Sequence, residues 1–329
     1  QPTAGLTVAA YVEVPTTTTS ARVVVALVPE AATASAAAML SDLTNSSHLG
    51  TQGDLMVTEC LTSTAAALRV DFLWVVDNSA SMQEEQQALS DAADTFFGAL
   101  QRSRIDFRLG VVTTDGEALR GGGFTNDLDA FKTRIKVGIN GNGIEEGIEY
   151  GVRAIDRSST ATDAVARLRP NAIPVVIFVS DEESTNLRPV SQYIDALHQK
   201  NVLAFAIVGP RPRGCLAVGR GAARVGEAYI EVADALGGLS ASICAQDLTR
   251  PIEEILVAAA GAASLTQLVD QPISGSLEVQ LPQSLIPRGR QNGFDYEPAA
   301  NSILFFGAAT PPEGTRFRVS YRRFVPFVP

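Results

Sequence analysis

Between residues 70 and 265, short apolar runs alternate with longer stretches of helical period. "VDFLWVVD", "IDFRLGVVTTD", "IPVVIFVSDEE" and "NVLAFAIVG" are too continuously apolar to have one wet face, and read as buried strands of a mostly parallel sheet. "SMQEEQQALSDAADTFFGAL" sets Met82, Leu89, Phe96 and Leu100 on one face of a helix, with Gln and Glu turned outward. "IEEGIEYGVRAI" repeats the pattern with Ile144, Ile148, Val152 and Ile155. "LTRPIEEILVAAAGAAS" closes the series, its Pro251 tolerated only near a first turn. The alternation predicts a doubly wound α/β domain, Rossmann-like in its layering, over 70–265.

The flanks follow a period of two. In "LTVAAYVEV", Leu6, Val8, Ala10, Val12 and Val14 share one face, and "ARVVVALVP" is a second strand closed by Pro29. "ATASAAAMLSDL" favours helix on propensity. Residues 1–69 therefore form a β-rich N-terminal segment. After 265, "GSLEVQLP", "NSILFFG" and "GTRFRVSYRRF" alternate between Pro, Gly and Asn turns, which predicts an antiparallel β module over 266–329. On its last strand Arg316, Arg318 and Arg322 face one way and Phe317, Val319 and Tyr321 the other. That module is small for an independent core. Chain ends often lie close together, so the N-terminal strands are expected to join it in a sandwich-like domain, with the α/β domain inserted between the halves.

Composition narrows the function. Of 329 residues 46% are hydrophobic, yet no run approaches the roughly 18 apolar residues of a membrane helix. A net charge of -10 would repel nucleic acid. With only His48 and His198, and His198 on a surface helix in "YIDALHQK", Ser-His-Asp catalysis and histidine-ligated zinc are poor expectations. The chain starts at Gln1 rather than Met, which suggests a removed leader and a secreted or cell-surface protein. Cys215 and Cys244 flank a Gly/Ala-rich stretch that a disulfide would close, leaving Cys60, expected to be buried. "RPRGC", with Arg211, Arg213 and Arg220, reads as a solvated loop or, less simply, an anion site.

Ligands of open α/β sheets gather beyond the carboxyl ends of the strands. There the first strand delivers Asp77, the second Asp115 and a fourth Asp181, while the glycine-rich loop "GINGNGIEEG" is permissive enough to approach them. Ser81 between strand and helix has the profile of an ordinary N-cap. Carboxylates converging on one rim repel each other, however, and a hard divalent cation held by oxygen relieves that repulsion. Mg²⁺ fits the short Asp and Ser side chains, with Ca²⁺ or Mn²⁺ as alternatives.

The pattern Asp77-Asn78-Ser79-Ala80-Ser81 after "VDFLWVV", with "VIFVSDEES" downstream, resembles the metal-ion-dependent adhesion site of the von Willebrand factor type A family, in particular its bacterial secreted members. The resemblance covers about 70 to 265. It implies that Asp77, Ser79, Ser81 and Asp181 belong to a metal site. It also implies that Asn142 stands where the family places a metal-binding Thr, with Thr125 and Thr113 as substitutes from nearby loops. Asp115, Thr125, Glu182 and Glu183 would form the rim or outer shell. Family members bind through the metal, whose shell an acidic group of the partner completes. The extra carboxylates Glu182 and Glu183 would tighten ion binding and weaken attraction for such a group.

Two function classes follow. One is a non-enzymatic adhesion protein engaging a protein or glycan through a divalent metal. The other is a structural subunit of an extracellular fibre or appendage, self-associating by strand addition at its strand-rich ends. A Mg²⁺-dependent phosphoryl-transfer enzyme is a remote third, because no Asp-x-Asp pair, phosphate-binding loop or general base is apparent.

Overall fold

The computed structural model describes residues 6–13, 22–29, 50–51, 55–63, 69–102, 105–141, 143–217, 221–245, 247–263, 266–298, 300–323 and 325–326. Val14, the helix-favouring stretch 32–43, His48, Asn142 and Arg220 lie outside them. The chain divides into two compact units: residues 67–263, and residues 1–66 together with 264–329.

The N-terminal strands are β1 (Leu6–Glu13), β2 (Arg22–Pro29), β3 (Gly50–Thr51) and β4 (Met56–Thr62). The two strands expected from alternation, β1 and β2, pair with each other in a two-stranded antiparallel sheet. It is β4, which the sequence reading passed over, that pairs with the strand Arg316–Arg322, and the short β3 pairs with Val325–Pro326 near the end of the chain.

The α/β unit runs β5 (Arg69–Val76), α1 (Gln83–Arg102), β6 (Asp106–Thr113), α2 (Leu128–Ile135), α3 (Gly147–Thr160), β7 (Ile173–Ser180), α4 (Val190–His198) and β8 (Leu203–Val208). It continues through β9 (Cys215–Ala217), β10 (Gly221–Ala223), α5 (Glu227–Ala235), β11 (Ser240–Ser242) and α6 (Thr249–Ala263). Five parallel strands order as β11-β8-β7-β5-β6, with β9 and β10 a separate antiparallel hairpin. Asp181 thus follows the third strand of this sheet rather than a fourth. Between β6 and β7 the described residues pair only at isolated bridges, among them Leu109–Thr125.

Strand β5 is central and buried on both faces, which is why it is apolar at every position from Phe72 to Val76. Trp74 packs edge-on to Phe96 of α1 and against Phe131 of α2. Leu73 and Val75 face the opposite layer, with Ile148, Val152 and Ile155 of α3, Tyr193 and Leu197 of α4, and Tyr229 of α5. In α1, Met82, Leu89, Phe96 and Leu100 are buried as expected, but Glu85 and Gln86 are buried beside them rather than turned outward. Both occupy the inward stripe one turn beyond Met82. Ile144 is 53% exposed and lies before the first turn of α3, so the helix begins later than its apolar pattern suggested. Pro251 does sit in the first turn of α6.

The second unit ends with β12 (Glu278–Leu281), β13 (Ser284–Ile286), β14 (Phe294–Glu297), β15 (Ser302–Phe305), β16 (Arg316–Arg322) and β17 (Val325–Pro326). A four-stranded antiparallel sheet orders as β13-β12-β16-β4, so N- and C-terminal strands share one sheet. Phe317, Val319 and Tyr321 point into its core with Val279, Tyr296 and Ile303, while Arg316, Arg318 and Arg322 are exposed. Cys60 corrects an expectation: it is free and exposed. On β4 the half-buried row is Val57, Glu59 and Leu61, and alternation sends Cys60 to the other face.

Candidate functional site

The site lies at the switch point of the parallel sheet. From β5 the chain crosses to β6 on one side, then to β7 on the other, and the loops after β5 and β7 part at their carboxyl ends. Registers Val76–Thr113 and Val76–Val179 align these strand ends at one edge, so Asp77, Asp115 and Asp181 all follow strands that finish there.

Asp77 is wholly buried and held from both sides. Its backbone N–H continues the ladder to Val179 O (2.9 Å). Its Oδ1 accepts from Ser79 N (2.7 Å) and its Oδ2 from Ser180 Oγ (2.6 Å). Ser79 caps the single 3₁₀ turn Ala80–Met82 without a side-chain capping bond. Its hydroxyl instead lies 3.1 Å from that of Ser81. The N-cap reading of Ser81 therefore gives way to a hydroxyl pair at the rim.

Asp181 faces that pair. It is buried, its Oδ1 has no hydrogen-bond partner, and burial raises its carboxyl to about 6, against a lowering hydrogen bond from Ser81, with Asp77 and Glu182 adding repulsion. Two carboxylates and two hydroxyls on one rim form an oxygen-only donor set suited to a hard cation. Among the described residues no group of three or more His, Cys, Asp or Glu is placed to hold a metal, so a cation here would depend on the hydroxyls as well. The orphaned Asp181 oxygen is what fits such an ion: a buried acceptor without a donor is costly unless something positive meets it.

The remaining expected residues divide. Asp115 Oδ1 accepts from Thr113 Oγ1 (2.7 Å) and Asn78 Nδ2 (3.1 Å), which places Asp115 and Thr113 at the rim but occupies them with each other and with Asn78. Thr125 is not at the rim. It bridges Leu109, near the middle of β6, and its hydroxyl accepts from Asp127 N (3.1 Å). Glu183 turns away to accept from the first amides of α5, Glu227 N (2.6 Å) and Ala228 N (3.1 Å), as a carboxylate at a helix N-terminus should. Glu182 stays at the edge, 4.0 Å from Arg224 Nη1. The glycine loop does reach the rim: Gly141 N donates to Asn78 O (2.8 Å).

Four contributors were missed. Ser180 reads as the last residue of a buried strand, yet it orients Asp77. Gln86 donates to Asp77 O (3.0 Å) and Gly138 O (2.9 Å) and accepts from Gly138 N (3.1 Å), clamping the glycine loop to the end of β5. Its position on the inward stripe of α1 was the available signal. Glu145 is buried against the Thr114 hydroxyl, and desolvation raises its carboxyl to about 7 despite that bond, with Asp77 adding to the rise. Beneath them Tyr229 OH is buried, which pushes its phenol upward.

The unit is thus an α/β domain with an open parallel sheet and oxygen-bearing side chains at its switch point. Residues 71–211 match the family model of the von Willebrand factor type A domain, a type generally involved in binding. No curated protein gives a significant match. Solved structures that match part of the chain include an aerotolerance-related membrane protein from Bacteroides fragilis (13% identity, 58% of this chain and 98% of that one, TM-score 0.41). Others are BatB from Bacteroides thetaiotaomicron (15%, 58% and 98%, TM-score 0.39) and a von Willebrand factor type A protein from Catenulispora acidiphila (16%, 85% and 63%, TM-score 0.41).

Proposed function

We propose that the α/β unit is a metal-dependent adhesion module, a non-enzymatic domain that captures a protein or glycan through a divalent cation at the rim. Asp77, Ser79, Ser81 and Asp181 would hold the ion, with Asn142 as a further oxygen donor and Mg²⁺, Mn²⁺ or Ca²⁺ as occupant. The observation that carries this is the unpartnered, buried Asp181 Oδ1 beside the Ser79–Ser81 hydroxyl pair. Two carboxylates and two hydroxyls leave positions of the ion's shell open, and a carboxylate or other oxygen from a partner gains by completing it. The Cys215–Cys244 disulfide favours an oxidising, extracellular setting. Among the described residues no helix is long and apolar enough to cross a membrane.

Calorimetric titration with Mg²⁺, Mn²⁺ and Ca²⁺ tests the ion site. The wild type is expected to give saturable heat, Asp77→Ala none, and the milder Ser81→Ala a weaker response. Equal heats from all three proteins would remove the cation from the reading. Turnover of a phosphoester that disappears in Asp77→Ala would replace adhesion by catalysis.

A second reading, self-association into a fibre, draws on β4. Among the described residues it is the last strand of its sheet, and it carries the exposed Cys60. Size exclusion at rising concentration, with and without reductant, decides it: a constant monomer in both counts against assembly.

A further inference from the structure

Beside the rim runs a groove of about 650 Å³. Ser81, Asp181 and Glu182 line one side, and the other is built by the β9–β10 hairpin and its flanks, with Arg213, Leu216 and Arg224. The hairpin is held firmly. Cys215, its first residue, is bonded to Cys244 beyond β11. Arg224 N donates to Asp181 O (2.8 Å), tying the end of β10 directly to the rim. Gly214 has φ 76°, and a Cβ there would lie 2.0 Å from Ala223 O, so the backbone after Arg213 is pressed against β10.

The cations on this wall differ in what they do. Arg211 is committed, with Nε and Nη2 on Glu227 (2.7–3.0 Å) and Nη1 on Asp234 (3.0 Å). Arg224 is 79% exposed and its nearest carboxylate, Glu182, is 4.0 Å away, beyond a hydrogen bond. Arg213 is exposed and makes no ion pair with a described residue. Leu216, on β9, is 85% exposed. In a chain of net charge -10, two guanidinium groups with no carboxylate hydrogen-bonded to them among the described residues line this groove together with an exposed apolar side chain.

We propose that this hairpin is the second half of the ligand groove and selects an acidic peptide segment of a partner protein, one carboxylate completing the cation's shell and a second, nearby, pairing with Arg213 and Arg224 while an apolar residue covers Leu216. The inference rests on the metal-dependent reading of the rim. It also resolves a difficulty there: Glu182 would repel an acidic ligand, and Arg224 stands where it offsets that charge.

The test uses the full chain, saturating Mg²⁺ and two fluorescein-labelled peptides, one carrying Leu and a single Asp, the other Leu, Asp and a Glu two positions on. Wild type is expected to bind the two-acid peptide about two- to fivefold more tightly, the scale of exposed charge pairs. The double variant Arg213→Ala/Arg224→Ala should lose that preference while still giving saturable Mg²⁺ heat. Equal binding of both peptides by wild type, a preference that survives the double variant, or Mg²⁺ binding with no capture of either peptide would each overturn the proposal and leave the ion site standing. Absence of Mg²⁺ heat in wild type would bring down the reading beneath it as well.

Discussion

Ser180 supplies what the Asp-x-Ser-x-Ser pattern leaves open, a donor that fixes the far oxygen of Asp77. Ser180→Ala removes it and strands a buried carboxylate oxygen, so we expect a stability loss of about 1–3 kcal/mol by denaturant titration, with weaker Mg²⁺ binding. Gly141→Ala is expected to cost a similar amount, about 1–3 kcal/mol, because its Cβ would lie 2.8 Å from Asn78 O, and backbone yields less readily than a side chain. If melting and Mg²⁺ titration leave that variant unchanged, the loop does not depend on the close approach. Asp77, Ser79, Ser81 and Asp181 were legible because short oxygen-bearing residues at apolar strand ends stand out. Ser180, Glu145 and Gln86 were not. Each sits where strand or helix periodicity already explains a residue, and its role depends on a partner 30 or more positions away or on an adjoining loop.

Among elements, the continuously apolar strands β5 to β8 and the long α1 announced themselves, since burial on both faces or over many turns leaves a strong periodic trace. Strand β4 escaped because its inward row carries Glu59. That carboxylate is satisfied by the Tyr321 hydroxyl and by Val269 N (3.1 Å), neither visible in "MVTECLT". Strand β14 hides in the same way, with Asp295 fully buried between Arg288 (3.0 Å) and Arg290 (2.6 Å). The exposed face of β4 gives a direct check: Cys60 should react with a maleimide in native buffer, and protection until denaturation would contradict it. Replacing both Cys215 and Cys244 with Ser should lower stability of the α/β unit by about 3 kcal/mol, read as a fall in its melting temperature. The hairpin β9–β10 should then become the earliest site of proteolysis.

On the scale of the whole molecule, residues 67–263 form a unit bracketed by the two segments of the other. A chain truncated after Ala263 deprives β4 of β16, and limited proteolysis should then remove 1–66 while sparing 67–263. The pairing of β4 with β16 has a mechanical corollary. Met56 pairs with Arg322 and Thr62 with Arg316, and in a separate small sheet Gly50 pairs with Pro326, so both strands of each pair are entered from the same end. Tension applied at the two termini would peel the pairs apart one at a time, as a zipper, before any load reached the inserted domain. Single-molecule stretching should show the short β extension first and the α/β unit yielding only afterwards.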